Sequence, residues 1–208
     1  MNVKASVLKR FIIYMAILTF VMFTIWALVR SFINRPPGDY ETEICDIRLK
    51  DKEYDKAIQA ANIALEKTPY HRGAKMCKAL VFISQKNYKK ANYELDDLIN
   101  FLEQNLDDDD KTGKGTLAAA YANRGIIKDR NENYDGALKD YAKALGIDHE
   151  AVAGPGLGTI ILNYKFKSSS VKERALYLNE QLQLPENERI LSIKELDEGQ
   201  VMHKPGKL

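Results

Sequence analysis

The chain has 208 residues, of which 45% are apolar, with 31 basic and 29 acidic side chains, enough to build one medium-sized core or several small stacked ones. Residues 1–35 hold five basic side chains (Lys4, Lys9, Arg10, Arg30, Arg35) and no acid, so the remaining residues carry 26 basic against 29 acidic groups. A mildly acidic remainder without basic clusters lacks the electrostatic footprint of a nucleic-acid binder, and no nucleic acid is expected as a partner.

Residues 1–10 form a basic N-terminal tail. From Phe11 to Val29 run nineteen uncharged, mostly large apolar residues, which as a helix would span about 28 Å, close to the ~30 Å hydrocarbon core of a bilayer. A membrane anchor over residues 11–33 is expected, bounded by Phe11 and Val29, with Trp26 at an interfacial depth. The apolar run is longer than the usual signal-peptide core, and no small-x-small cleavage site follows it, so retention is expected over cleavage. The basic tail favours the N-terminus inside, which would put the rest of the chain on the outer, periplasmic side of an inner (plasma) membrane. Asn34-Arg-Pro-Pro-Gly38 breaks the helical run and reads as a linker over 34–38.

From Asp39 onward the pattern is helical almost to the end, with no convincing alternating segment. Tyr54-Asp-Lys-Ala57 recurs 34 residues later as Tyr88-Lys-Lys-Ala91, and after a further 46 residues as Tyr134-Asp-Gly-Ala137. The longer step is the same period with a 12-residue acidic insertion near 105–116. The best unit carries Tyr121-Ala-Asn-Arg-Gly125 in its first helix and Tyr134-Asp-Gly-Ala-Leu-Lys-Asp-Tyr-Ala-Lys-Ala144 in its second. Gly125, Ala137 and Ala144 are small where helices must cross closely, and Tyr121, Tyr134 and Tyr141 fill the space beside them. The unit from Gly38 matches in its second helix (Tyr54, Ala57, Ala61, Ala64, Pro69), and the middle unit in Ala79, Phe82, Tyr88 and Ala91.

These residues and this period resemble the tetratricopeptide repeat. The resemblance implies an all-α solenoid of helix pairs, with three clear repeats over 38–149, and a degenerate fourth with a capping helix over 150–198. That fourth unit would use an apolar helix after Gly154-Pro155-Gly156 and a second over Val171–Leu184. A capping helix would then start at Pro185 (Ile190, Leu191, Ile193, Leu196), followed by a tail over 199–208. It also implies a concave face lined by each first helix: Asp39, Glu43 and Asp46 from the first unit, Met76, Leu80 and Ile83 from the second, and Asn123, Ile126 and Arg130 from the third. These are the expected partner-binding residues, an acidic rim beside an apolar floor. Ordinary packing against the next unit stands as the competing reading of Met76, Leu80 and Ile83. Chaperone-binding relatives clamp a carboxylate with Lys, Asn and Arg, and acids here stand where lysines would sit. The expected work is to bind a protein partner as an assembly factor or accessory subunit of a membrane or envelope complex, and a periplasmic chaperone holding unfolded or translocating clients is the alternative.

No chemistry-bearing constellation emerges. Asp107–Asp110 followed by Lys111-Thr-Gly-Lys-Gly115 fits neither a calcium loop nor a phosphate loop, since the ligand alternation and the early glycine are missing, and reads as a solvated loop. His71, His149 and His203 have no metal spacing. Cys45 and Cys77 fall in first helices of neighbouring units and are expected as small buried thiols. A bridge would require Cα atoms within ~7 Å and an oxidising compartment. No enzyme activity, cofactor, metal or small-molecule substrate is expected.

Overall fold

The computed structural model describes residues 5–33, 35–152 and 170–193, in two compact units, Met1–Pro37 and Gly38–Leu208. The first unit is one helix, α1 (Ala5–Ile33). It starts inside the basic tail rather than at Phe11, because nothing between Ala5 and Phe11 breaks a helix. Thr19 and Thr24 donate their hydroxyls back to the carbonyls of Met15 and Val21, both at 2.8 Å, so these two hydroxyls within the apolar run are satisfied inside the helix. Arg30 lies over the Trp26 ring at 5.1 Å.

The second unit is built from helix pairs: α2 (Asp39–Lys50) with α3 (Tyr54–Lys67), α4 (Arg72–Ser84) with α5 (Tyr88–Asn105), and α6 (Lys111–Arg130) with α7 (Tyr134–Ile147). A further helix, α8 (Val171–Gln183), packs on α7. First helices touch one another, α2 on α4 and α4 on α6, while each second helix also packs on the next first helix. No strand occurs among the described residues.

The repeat is legible in the hairpin turns. Lys52, Lys86 and Glu132 have φ of 60°, 58° and 61°, each two residues before the tyrosine that opens the second helix. The following amide reaches back to the first helix in all three turns: Glu53 to the carbonyl of Arg48 at 2.8 Å, Asn87 to Phe82 at 2.8 Å, Asn133 to Lys128 at 2.9 Å. This is the Schellman closure, made here with non-glycine residues in the left-handed region. Asn87 and Asn133 then cap their helices by accepting from the amides of Lys90 and Gly136, and Glu53 instead pairs with Arg48 and Lys56.

Close crossings use the small residues. Ala57, Ala91, Ala137 and Ala144 are fully buried, and a Cβ on Gly125 would stand 2.6 Å from the Tyr141 ring. Only glycine lets α6 approach α7 so closely. Cys45 and Cys77 form a disulfide joining α2 to α4, with Cα atoms 6.4 Å apart. The expectation of two free thiols is therefore corrected: stacking of first helices brings both sulfurs into one small cluster with Ala57, Ala60, Ala61 and Val81.

Two further expectations are revised. The insertion is mostly helix: α5 has 18 residues and α6 has 20, against 14 and 13 in α3 and α4. Lys111–Gly115, read as loop, is the first turn of α6, held because Asp110 caps it by accepting from the Gly113 amide at 2.7 Å. The capping helix after Pro185 is reduced to a 3-10 turn, Glu186–Glu188, after which residues 189–193 run without helix. The helix expected after Gly154 and the segment around Leu196 lie outside the described residues.

Candidate partner-binding surface

The nine residues expected to line a docking face divide sharply. Asp39 opens α2 and accepts from His71 Nε2 at 2.9 Å, while His71 Nδ1 accepts from the Ala74 amide and caps α4. Glu43 and Asp46 lie half-buried along α2, beside exposed Tyr40 and Ile47. Arg130 is exposed at the end of α6. The apolar floor is not open. Met76, Leu80, Ile83 and Ile126 are at most 4% exposed and belong to the main core cluster, and Asn123, at 0%, donates to the Met76 sulfur. The physical reason is that α4 is central: α2, α3, α5 and α6 all pack against it, so ordinary packing is the observed role of these residues.

Ion pairs tie the helices of the second unit together. Arg124 grips Asp140 through Nε and Nη2, both at 2.8 Å, and reaches Asp96 at 2.7 Å; the pairing with Asp140 holds its proton more firmly than usual. Arg72 and Lys75 of α4 pair with Asp110 and Asp97. Asp110 is held below the ordinary carboxylate range, first by the Gly113 amide and then by Arg72. Tyr121 donates to Glu103 and accepts from Lys143. Burial, then Glu103, pushes its hydroxyl above the ordinary tyrosine range, so it is a brace between α5, α6 and α7 rather than an acid or nucleophile poised near neutrality.

A second network at the end of the stack escaped the sequence reading. Arg174 of α8, 1% exposed, clasps Asp129 of α6 through Nε at 2.8 Å and Nη2 at 2.7 Å, and Tyr141 donates to the same carboxylate at 3.1 Å. Arg174 Nη2 also donates to the Leu191 carbonyl at 2.8 Å, Tyr177 to the Ile190 carbonyl, and Gln181 accepts from the Ile190 amide at 2.7 Å. The signal was present: Arg174 interrupts the apolar stripe Val171, Ala175, Leu178, where a charge needs a buried partner.

Among the described residues no group of His, Cys, Asp and Glu is placed to hold a metal, and both cysteines are bonded to each other. The geometry defines a class: among the described residues, a tetratricopeptide-like stack of helix hairpins without strands. No family model matches the chain, and no curated protein does. Among solved structures, the first TPR of Spaghetti (RPAP3) bound to the HSP90 peptide SRMEEVD is similar, with 15% identity over 71% of this chain and 94% of that one, at a TM-score of 0.49.

Proposed function

We propose that this protein is a membrane-anchored adaptor, whose solenoid holds a protein partner on the outer side of an inner membrane, as an assembly factor or accessory subunit of a membrane or envelope complex. The disulfide between Cys45 and Cys77 carries the compartment half of this reading. Such bonds form and persist outside the reducing cytoplasm, and the basic flank of α1 independently favours the same orientation. Within Ala5–Arg30 an 18-residue window reaches a mean hydropathy of 2.4 and is 0% buried. A helix so apolar and so exposed is either a span or a removed signal, and its length favours the span.

The partner half rests on the hairpin stack and on the acidic side of α2, where Asp39, Glu43 and Asp46 would meet a basic flank while Tyr40 and Ile47 supply apolar contact. Arg130 would set the register at the far end. The chaperone alternative loses support, because the apolar floor it would use to hold unfolded clients is core. Crosslinking in intact membranes followed by mass spectrometry tests the proposal. A stoichiometric protein partner is expected, and capture of lipids and abundant bystanders alone would refute it.

A further inference from the structure

Residues 184–193 are held on α8 in an unusual way. Three side chains on one stripe of that helix, Arg174, Tyr177 and Gln181, bind main-chain atoms of the segment: the Leu191 carbonyl, the Ile190 carbonyl and the Ile190 amide. Ile190 is 63% exposed. Leu191 is partly buried and packs on the main core. The strap therefore sits as an extended peptide ligand would, with backbone hydrogen bonds supplying the hold and one apolar pocket the selectivity. Arg174 is preorganised for this by Asp129, which fixes its guanidinium from the other side. Arg189 folds back on the carbonyls of Leu184 and Leu182 at 2.8 and 3.1 Å, shaping the strap without touching this stripe.

We infer that the Arg174, Tyr177, Gln181 stripe is a docking site for an extended segment of a partner protein bearing one apolar anchor, and that the chain's own residues 190–191 occupy it until the segment displaces them. This goes beyond the adaptor reading, which puts the partner on α2, by assigning a second contact on α8. Because the clamp reads the backbone, side chains outside the anchor position matter little. A tethered strap competes at an effective concentration on the order of 1 mM, so a segment binding the open site at about 10 μM would meet the closed protein roughly 100-fold more weakly.

The test uses the full chain in detergent and a fluorescent peptide copying residues 186–193, read by anisotropy. Leu191→Asp releases the strap from its pocket, and the peptide should bind this variant at least about 10-fold more tightly than the parent chain. Adding Tyr177→Phe or Gln181→Ala should weaken that binding roughly 3- to 10-fold. A peptide altered at the position of Ile190 should bind as well as the original, and one altered at the position of Leu191 should not bind. Absence of binding to folded Leu191→Asp overturns the inference and leaves the strap a structural clasp. Should Leu191→Asp unfold the chain, hydrogen exchange on the unaltered protein decides. The Ile190 amide opening at least 10-fold more often than the α8 amides supports displacement, and opening only together with α8 overturns it. The probe is the chain's own sequence, so a partner captured elsewhere on the solenoid would leave the adaptor reading standing while this site fails.

Discussion

Removing the charge of Asp129 should unfasten the end of the stack. The Asp129 side chain is 3% exposed and accepts from Arg174 Nε at 2.8 Å, Arg174 Nη2 at 2.7 Å and Tyr141 at 3.1 Å. In Asp129→Asn the amide cannot accept all three, and a guanidinium only 1% exposed loses the carboxylate that clasps it through Nε and Nη2. Breaking a buried pair from one side costs about 3–5 kcal/mol, against about 5–15 kcal/mol for a whole domain, and a midpoint shift on the order of 10 °C. Repeats contact mainly their neighbours, so the loss should concentrate in α7 and α8. Urea unfolding followed by circular dichroism measures the total, and hydrogen exchange over Val171–Gln183 locates it. The double variant Asp129→Leu with Arg174→Met removes both charges together and should recover much of the stability. A cost below about 1 kcal/mol for Asp129→Asn, or a double variant as unstable as the single, would refute the reasoning.

Replacing Cys45 and Cys77 by Ala should cost roughly 4 kcal/mol, the loop-closure value for a separation of 32 residues, and reductant added to the unaltered protein should lower its melting temperature likewise. Gly125→Ala puts a methyl 2.6 Å from Tyr141 and should cost about 1–3 kcal/mol by urea titration, as should Ala137→Leu at the neighbouring crossing. Asp110→Ala should lose about 1 kcal/mol with the cap of α6. Since that carboxyl sits below its ordinary 3.8 when folded, its contribution is present above that value and lost as pH falls through the folded one. Acid titration of unfolding should therefore show a drop below about pH 4 that Asp110→Asn reduces. Reporter fusions after Pro37 and at Leu208 should both report the outer compartment, and a cytoplasm-only reporter active at Leu208 would reverse the topology.

The hairpin architecture was legible because Tyr54, Tyr88 and Tyr134 recur with their alanines, and each opens a second helix after the same left-handed turn. What periodicity could not reveal was which side of a first helix stays open. Met76, Leu80 and Ile83 carry the same pattern whether they line a groove or fill a core, and only the position of α4 between its neighbours decides it. The disulfide was hidden for a related reason, since a separation of 32 residues says nothing of Cα distance. Lys111–Gly115, following four aspartates, reads from sequence as a solvated loop. The local cap overrides that reading: Asp110 accepts from the Gly113 amide at 2.7 Å and starts α6 at Lys111.

The central claim, that the solenoid holds a protein partner along its acidic first helix, is tested most directly by photo-crosslinkers placed singly at Tyr40, Ile47 and Tyr93 in native membranes. All three side chains are exposed, at 57%, 48% and 72%, but Tyr93 lies on the second-helix layer. One discrete partner captured from Tyr40 and Ile47 and not from Tyr93 is the expected result. No partner from either α2 position, or the same products from all three, would contradict it.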